Sequence, residues 1–342
     1  MKNPFKYLIC IWLAVLIFCM AFTGDVSGWA RGVASARISL LLATGQPGSV
    51  DYQVGLGLAS LWTTRLKSLG IRVSAAITEG ARENIEAVRI GDADLIIADE
   101  YFSQGAITGA GPFKDRPLPQ LRAITVLWPE LLHLIIRAEK FNTGSIQDLE
   151  SQTVGVGLPD SSVKHILEII LKENLGGKRD IKIKPMSNLG LIEAWKSGSL
   201  NAMSFSGGLP LPIVNHFAQQ NKGLFRFLSI SEADISALNS EALSNMTGMM
   251  IPPGTYVGQD HEIRTLGQHN ILLTSSALDA QVVYELTKTM FSNLDYLLRI
   301  HPACGHLSLE KALSGLKIPL HRGALKFFRE KNLPIPEELV SD

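Results

Sequence analysis

Gly45-Gln46-Pro47-Gly48-Ser49 is echoed further along the chain by Gly157-Leu158-Pro159-Asp160-Ser161. Ile85-Glu86-Ala87-Val88-Arg89-Ile90-Gly91-Asp92-Ala93-Asp94 is echoed in turn by Ile192-Glu193-Ala194-Trp195-Lys196-Ser197-Gly198-Ser199-Leu200-Asn201. The two pairs come in the same order and at similar offsets, which predicts two lobes built on one plan. Two such lobes facing each other make a cleft, and a cleft between lobes is where small ligands bind.

The segments around the echoes agree with each other. Residues 38–43 form an apolar run of strand length, and 44–48 a turn punctuated by Pro47 and Gly48. Ser49 is a natural cap for a helix in which Val54, Leu58, Leu61, Trp62 and Leu66 fall near a 3.6-residue period. Gly70 ends that helix, residues 71–77 read as a second strand, and Thr78-Glu79-Gly80 turns into the repeat helix that Gly91 stops. A third strand, 95–98, ends at Asp99 and Glu100. The second lobe is predicted to follow the same course. It has a strand at 153–157, a turn to Asp160, a cap at Ser161, a helix over 165–175 and a strand at 181–186. A helix from Asn188 through Trp195 and a strand at 202–206 follow, before Gly207-Gly208-Leu209-Pro210 turns into another helix.

Between the lobes, the apolar runs 121–128 and 131–137 are joined by Pro129-Glu130, and a later run, 270–275, is expected to return across the same junction. Crossings of this kind suit a hinge. Residues 280–298 and 323–331 read as helices. The expected division is a leader or anchor over 1–36, lobe one over 37–130 plus 268–342, and lobe two over 131–267.

Strands alternating with helices argue for an α/β fold with mainly parallel sheets. Ligands of such sheets sit beyond the carboxyl ends of the strands, here the turns at Gly45, Thr78, Asp99, Gly157, Ser187 and Gly207. Helix N-termini at those turns offer unpaired N–H groups and the positive end of the helix dipole. They favour a carboxylate or similar anion by roughly 0.3–1 kcal/mol per helix end.

A chain of 342 residues accommodates two such lobes. Its 32 Lys and Arg are balanced by 32 Asp and Glu, leaving no nucleic-acid or anionic-membrane footprint. Lys2 and Lys6 precede an uncharged apolar run over 7–22, the pattern of a secretory signal. The cleavage points near Ser27 and Ser35 lie well beyond that run, so an uncleaved membrane anchor is the alternative. Of the three cysteines, Cys10 and Cys19 lie in this segment and lack the preceding small residue of a lipoprotein signal. Cys304 has no partner for an intramolecular disulfide once they are removed.

Other motifs read more simply as structure. Ser161-Ser162-Val163-Lys164 has the Ser-x-x-Lys spacing of acyl-transfer enzymes, but the companion Lys-Thr-Gly-type strand is missing. A helix cap beside a solvated lysine accounts for it. His301, Cys304, His306 and His321 lack the carboxylate or second cysteine that would complete a zinc site. His133 lies in an apolar run and reads as a satisfied core histidine, and His321 as a brace for the C-terminal turn. Gly155-Val156-Gly157 lacks the third glycine of a dinucleotide fingerprint. Tyr52, Trp128 and Tyr256 are candidate cleft aromatics.

From about Ile38 to Asn332 the chain resembles the TAXI-type solute-binding subunits of TRAP transporters. The resemblance is carried by Ala43-Thr44-Gly45 with Tyr52 and Gly55, by Gly80…Glu83-Asn84…Gly91…Asp94-Leu95, and by Pro129-Glu130…His133-Leu134. It continues through Asp148-Leu149…Val154-Gly155-Val156-Gly157, Gly208-Leu209-Pro210, Pro253-Gly254-Thr255-Tyr256 and Ile318-Pro319-Leu320-His321. It implies a two-lobed periplasmic-binding-protein type II fold closing on a ligand in the cleft between lobes, with no catalysis, no cofactor and no metal. It also implies a periplasmic, monomeric receptor that delivers a small organic acid, of the amino-acid or dicarboxylate class, to TRAP membrane subunits. The alternatives are a membrane-anchored sensor that keeps its N-terminal helix, and an acyl-transfer enzyme using Ser161 and Lys164.

The chain departs from the family pattern at the expected contacts. Gly48-Ser49-Val50-Asp51-Tyr52 stands where the family has Gly-Gly-Thr-Tyr-Tyr, Glu79-Gly80-Ala81 where it has Gly-Gly-Ser, and Asp160-Ser161-Ser162 where it has Gly-Ser-Gly. The scaffold is therefore expected to be kept and the ligand changed, with Asp51, Glu79 or Asp99 facing a cationic or hydroxylated group. The rival is that these carboxylates point to solvent. The expected ligand contacts are Gly45, Ser49, Asp51, Tyr52, Gly80 and Ala81 on the first wall. Ser161, Ser162, Gly207 and Gly208 are expected on the second, with Asp99 and Trp128 near the base.

Overall fold

The echoed turns prove to be strand-to-helix turns in a shared topology. The computed structural model describes residues 37–176, 180–238 and 246–340, and the expected leader or anchor over 1–36 lies outside them. The first half runs β1 (Ile38–Ala43), α1 (Val50–Arg65), β2 (Ile71–Ala76), α2 (Ala81–Ile90), β3 (Leu95–Asp99) and α3 (Glu100–Thr108). A long strand, β4 (Leu121–Arg137), leads into β5 (Thr153–Val156), α4 (Ser162–Leu175), β6 (Lys182–Pro185), α5 (Asn188–Lys196) and β7 (Ala202–Gly207). Then come α6 (Pro212–Gln220), β8 (Phe225–Leu228), α7 (Glu232–Ser236), β9 (Thr247–Ile251) and a second long strand, β10 (Ile263–Ser275). Helices α8 (Ala280–Phe291), α9 (Leu294–Ile300) and α10 (Arg322–Glu330) follow.

The strands among the described residues form one sheet in the order β2-β1-β3-β10-β4-β7-β5-β6, with β8 beside β4 and β9 beside β10. β1 lies parallel between β2 and β3, and β5 parallel between β6 and β7. Each triplet is flanked by a long antiparallel strand, β10 beside β3 and β4 beside β7. The sequence echo is therefore an echo of topology. Its glycines have a common task. A Cβ on Gly45 would stand 3.0 Å from the Ser49 Oγ, and one on Gly157 only 2.4 Å from the Ser161 Oγ. Each serine folds back over its turn to cap the next helix, accepting from the N–H of Tyr52 at 3.1 Å and of Lys164 at 3.4 Å. The glycines leave the room for it.

The two apolar runs around Pro129 are one strand rather than two. Pro129 has no N–H to give a ladder, and proline inside a sheet is confined to edges and irregularities. Here it stands opposite His269, beside a register shift between His269 and Ile271. β4 changes partners close by: residues up to Leu131 pair with β10, and Leu131 onward pairs with β7. The expected helix over 280–298 is interrupted between α8 and α9, and α3, β8 and β9 were not anticipated from the pattern. β8 is only Phe225–Leu228, and the first residues of β9 are exposed, so neither carries a clear alternation.

Packing joins distant segments. The indole N–H of Trp62, fully buried on α1, donates to the Leu286 carbonyl on α8 at 2.9 Å. His133 is a core histidine, as its apolar run suggests. Its Nδ1 lies 2.9 Å from the Leu131 carbonyl and its Nε2 2.7 Å from the Tyr256 hydroxyl, which accepts from the Leu211 N–H at 2.8 Å. A neutral ring with its proton on Nδ1 satisfies all three contacts. Burial depresses its pKa to about 4 and keeps it neutral. Tyr256 is thereby a core residue, 2% exposed.

Gly157→Ala is expected to destabilise the protein by about 1–3 kcal/mol, because its Cβ would collide with Ser161 and Val163 at the start of α4. Thermal melting checks this against Gly198→Ala, where a Cβ meets nothing within 4 Å but the backbone φ is +77°. A Gly157→Ala loss no larger than the control's would remove the steric account.

Candidate functional site

Asn84 shows how the site is assembled. It is fully buried on α2, and its Nδ2 donates to the Thr44 carbonyl at 2.7 Å and the Ile97 carbonyl at 2.8 Å. That one amide ties α2 to the end of β1 and the middle of β3. The helix starts at Gly80, whose φ of +126° belongs to glycine. No side chain caps it, so the first N–H groups of α2 keep their donors.

A cavity of about 350 Å³ lies where the helix starts of the two halves meet. From the first half it is lined by Gly45, Gln46, Ser49 and Asp51, by the segment from Glu79 to Glu83, and by Glu86 and Asp99. From the second it is lined by Gly157, Leu158, Asp160, the Ser161-Ser162-Val163 start of α4, Asn188 and Ser206. The long strands add Glu130 from β4 and Asn270 from β10.

Several contacts cross from one half to the other around this cavity. The Arg82 guanidinium pairs with the Asp160 carboxylate. The Asn188 N–H donates to the Gln46 Oε1 at 3.0 Å, and the Ile213 N–H to the Gly48 carbonyl at 3.2 Å. Ser162, from the second half, lines the cavity together with Asp99 from the first. The ion pair is partly exposed and worth at most about 1 kcal/mol.

Acidity dominates the electrostatics. Asp99 and Glu130 are buried, 2% and 8% exposed, and Asp51 is half-buried beside them. Desolvation raises the Asp51 pKa to about 7, helped by the Asp99 charge. Desolvation also raises Asp99 to about 6, against hydrogen bonds from Phe102 and Ser162 that favour the anion. Glu130 is pushed well above the carboxylate range by burial, then by Asp99 and Asp51, with Ser206 opposing. Elsewhere in the lining Glu86 meets Arg89 and Arg116, Glu83 accepts from the Glu79 N–H, and Asp160 meets Arg82.

Of the residues expected at the site, Gly45, Ser49, Asp51, Gly80, Ala81, Asp99, Ser161 and Ser162 line the cavity. Tyr52, Trp128, Gly207 and Gly208 do not. Trp128 is fully buried, and its ring fills the space beside Gly208, where a Cβ would lie 2.8 Å from the indole. Gly208 is small so that this indole can pack. Glu79 lines the mouth and is exposed. Lys164 turns from Ser161 to Glu168, at 2.9 Å, while the Ser161 hydroxyl donates to the Leu158 carbonyl at 2.7 Å, so the Ser-x-x-Lys spacing forms a cap and not a dyad. The imidazoles of His301 and His321 are spent on backbone: they accept from the N–H groups of Ala303 and Gly323 and reach the carbonyls of Pro210 and Leu278.

Sequence reading missed the roles of Glu130, Asn270 and Ser206. A signal was present for Glu130, the one acid inside a 17-residue, mostly apolar strand. Asn270 and Ser206 carry none, since nothing local says that strands β10 and β7 deliver them to one place.

Residues 42–331 match the NMT1-like family. In structure, the chain is similar to a protein from Bordetella bronchiseptica RB50 at 16% identity and a TM-score of 0.48, covering 85% of this chain and 82% of that one. It is similar to a Xanthomonas citri protein solved bound to ATP, at 13% identity and a TM-score of 0.46, covering 85% and 94%. An ancestral arginine-binding protein solved bound to arginine matches at 13% identity and a TM-score of 0.45, covering 77% and 97%. The repeated strand order, with a long antiparallel strand beside each triplet, is a type II periplasmic-binding-protein-like fold. Among the described residues no helix is long and apolar enough to cross a membrane.

Asp51 and Asp99 ordinarily titrate at 3.8, and in the fold at about 7 and about 6. Between those limits the folded state binds more protons than the unfolded chain, so their contribution to stability falls as pH rises. Buried His133 titrates in the opposite sense over part of this range, so the informative quantity is the difference made by a variant. Asp51→Asn is expected to raise the melting temperature of the ligand-free protein at pH 8 by about 3–5 °C and to change it little at pH 5. Scanning calorimetry giving the same shift at both pH values would contradict the assignment.

Proposed function

The chain belongs to the NMT1-like family, and with the cavity between its repeated helix starts as the second premise we propose that it is an extracytoplasmic solute receptor. It encloses one small organic molecule of amino-acid size between two lobes, residues 37–130 plus 268–342 and residues 131–267, and releases it to TRAP-type membrane subunits. The observation that carries this reading is the cavity of about 350 Å³ bounded by both halves of the repeat, a size ordinary for a small-molecule site. The fold and the family support the receptor role, and the resemblance in sequence supports the TRAP partnership.

Gly45, Ser49, Asp51, Gly80, Ala81, Asp99, Ser161 and Ser162 hold the ligand in this reading, joined by Glu130, Ser206 and Asn270. Tyr52, Trp128, Gly207 and Gly208 support the walls from behind. β4 and β10 carry the hinge, because each changes neighbours partway along its length. In this reading the pairs Arg82–Asp160 and Gln46–Asn188, which join the two lobes, belong to the closed state. Ligand contacts made only there shift the population towards closure. The receptor acts as a monomer, and no bond-making chemistry is assigned to it.

Native mass spectrometry of protein purified without denaturation, then incubated with a metabolite extract, is expected to show one small molecule bound per chain. Ala81→Trp, which fills the mouth of the cavity, is expected to abolish that adduct while leaving the circular dichroism spectrum unchanged. An adduct that survives Ala81→Trp, or no adduct from any extract, would overturn the reading.

A further inference from the structure

Resting on the receptor reading above, we propose that the solute carries an ammonium or guanidinium group, and that Asp51, Asp99 and Glu130 are its counter-ions on the floor of the cavity. The three carboxylates come from three separate elements, the first turn of α1, the end of β3 and the middle of β4, and all line one cavity. Among the described residues none of the three forms an ion pair with a Lys, Arg or His, whereas half-buried Glu86 elsewhere in the lining pairs with Arg89 and Arg116, and exposed Asp160 pairs with Arg82. Burying like charges together without compensation costs several kcal/mol per ion, and a cation entering from outside removes that cost.

The hydrogen bonds given to these groups favour carboxylates over carboxylic acids. Asn270 donates its Nδ2 to the Asp51 Oδ1 at 2.8 Å, and the Phe102 N–H donates to the Asp99 Oδ1 at 2.9 Å. Ser162 and Ser206 line the same cavity and favour the charged forms of Asp99 and Glu130. Donors aimed at these carboxylates prepare the anionic form for a positive partner.

A metal ion is a poorer fit than an organic cation. Among the described residues no group of three His, Cys, Asp or Glu converges closely enough to hold one, whereas a cavity of about 350 Å³ has room for a molecule that meets the three carboxylates at different points. A dicarboxylate fits worse still. Helix N-termini contribute at most about 2 kcal/mol each in partly buried geometry, while one unit charge 4 Å from another of the same sign costs about 4 kcal/mol at an effective dielectric of 20. Three floor carboxylates therefore outweigh the helix ends of α2 and α4. The uncapped N–H groups of α2 at the rim leave a place for the carboxylate of a zwitterion, so a basic amino acid and a simple diamine are both admitted.

The test is a thermal-shift and calorimetric panel on the full chain: arginine, lysine, agmatine, putrescine and choline against glutamate, succinate, Ca²⁺ and Mg²⁺. At least one of the five organic cations is expected to stabilise the protein, with affinity tightening about tenfold or more from pH 5 to pH 8 as the floor ionises. Asp51→Asn and Glu130→Gln are each expected to weaken that binding by about 30-fold or more without lowering the melting temperature of the free protein at pH 8. Stabilisation by glutamate, succinate or the metals alone, no shift from any organic cation, or cation binding that survives both substitutions would each overturn the proposal. Glutamate binding that Ala81→Trp abolishes would do so while leaving the receptor reading intact; no adduct from any extract would end both.

Discussion

Three carboxylates held in one cavity, with no ion-pair partner among the described residues, are the constraint around which the rest of this structure is arranged. Asp51, Asp99 and Glu130 repel one another and resist desolvation, so the fold must fix them by other means. It does so with hydrogen-bond donors to Asp51 and Asp99, the Asn270 amide and the Phe102 N–H, while Ser162 and Ser206 from the other half line the cavity and favour the anions at Asp99 and Glu130. Buried polar groups are tolerated when partnered in this way. The arrangement is costly as it stands, and the cost is concentrated where a ligand can relieve it.

The duplicated topology explains how such a site can be built. Each half brings its strand ends and helix starts to one edge of its triplet, β2-β1-β3 or β6-β5-β7, as parallel strands with helical connections require. The long strands β4 and β10 join the halves, and each sends one polar side chain, Glu130 or Asn270, into the space between them. The floor and the junction therefore share residues. In the proposed receptor a change in the charge of the floor acts on the strands proposed to carry the hinge, which would couple occupancy to closure without a separate relay.

Much of this was legible in the sequence, and the reason lies in particular residues. Gly45 with Ser49 and Gly157 with Ser161 are local devices, a glycine making room for a serine cap, so their repetition announces the turns directly. Asp51 and Asp99 stood out because they replace or end local patterns at those turns. The charge of the cavity was harder to read. Helix starts by themselves suggest an anion, and the acidic floor reverses that expectation only once Glu130 is known to stand beside Asp51 and Asp99. Trp128 misled for a related reason: an aromatic at the junction of two lobes can face the cleft or the core, and the small Gly208 opposite it, far away in sequence, decides for the core. β8 and β9 were lost because short or exposed strands leave no alternation to detect.

A crystal structure of the protein with the solute that accompanies it from its native host tests the account most directly. The account predicts density enclosed between Ser49 and Ser161, with a nitrogen of the solute within about 3 Å of carboxylate oxygens from at least two of Asp51, Asp99 and Glu130. A solute carboxylate at that position, or a solute bound outside the cavity, would contradict it.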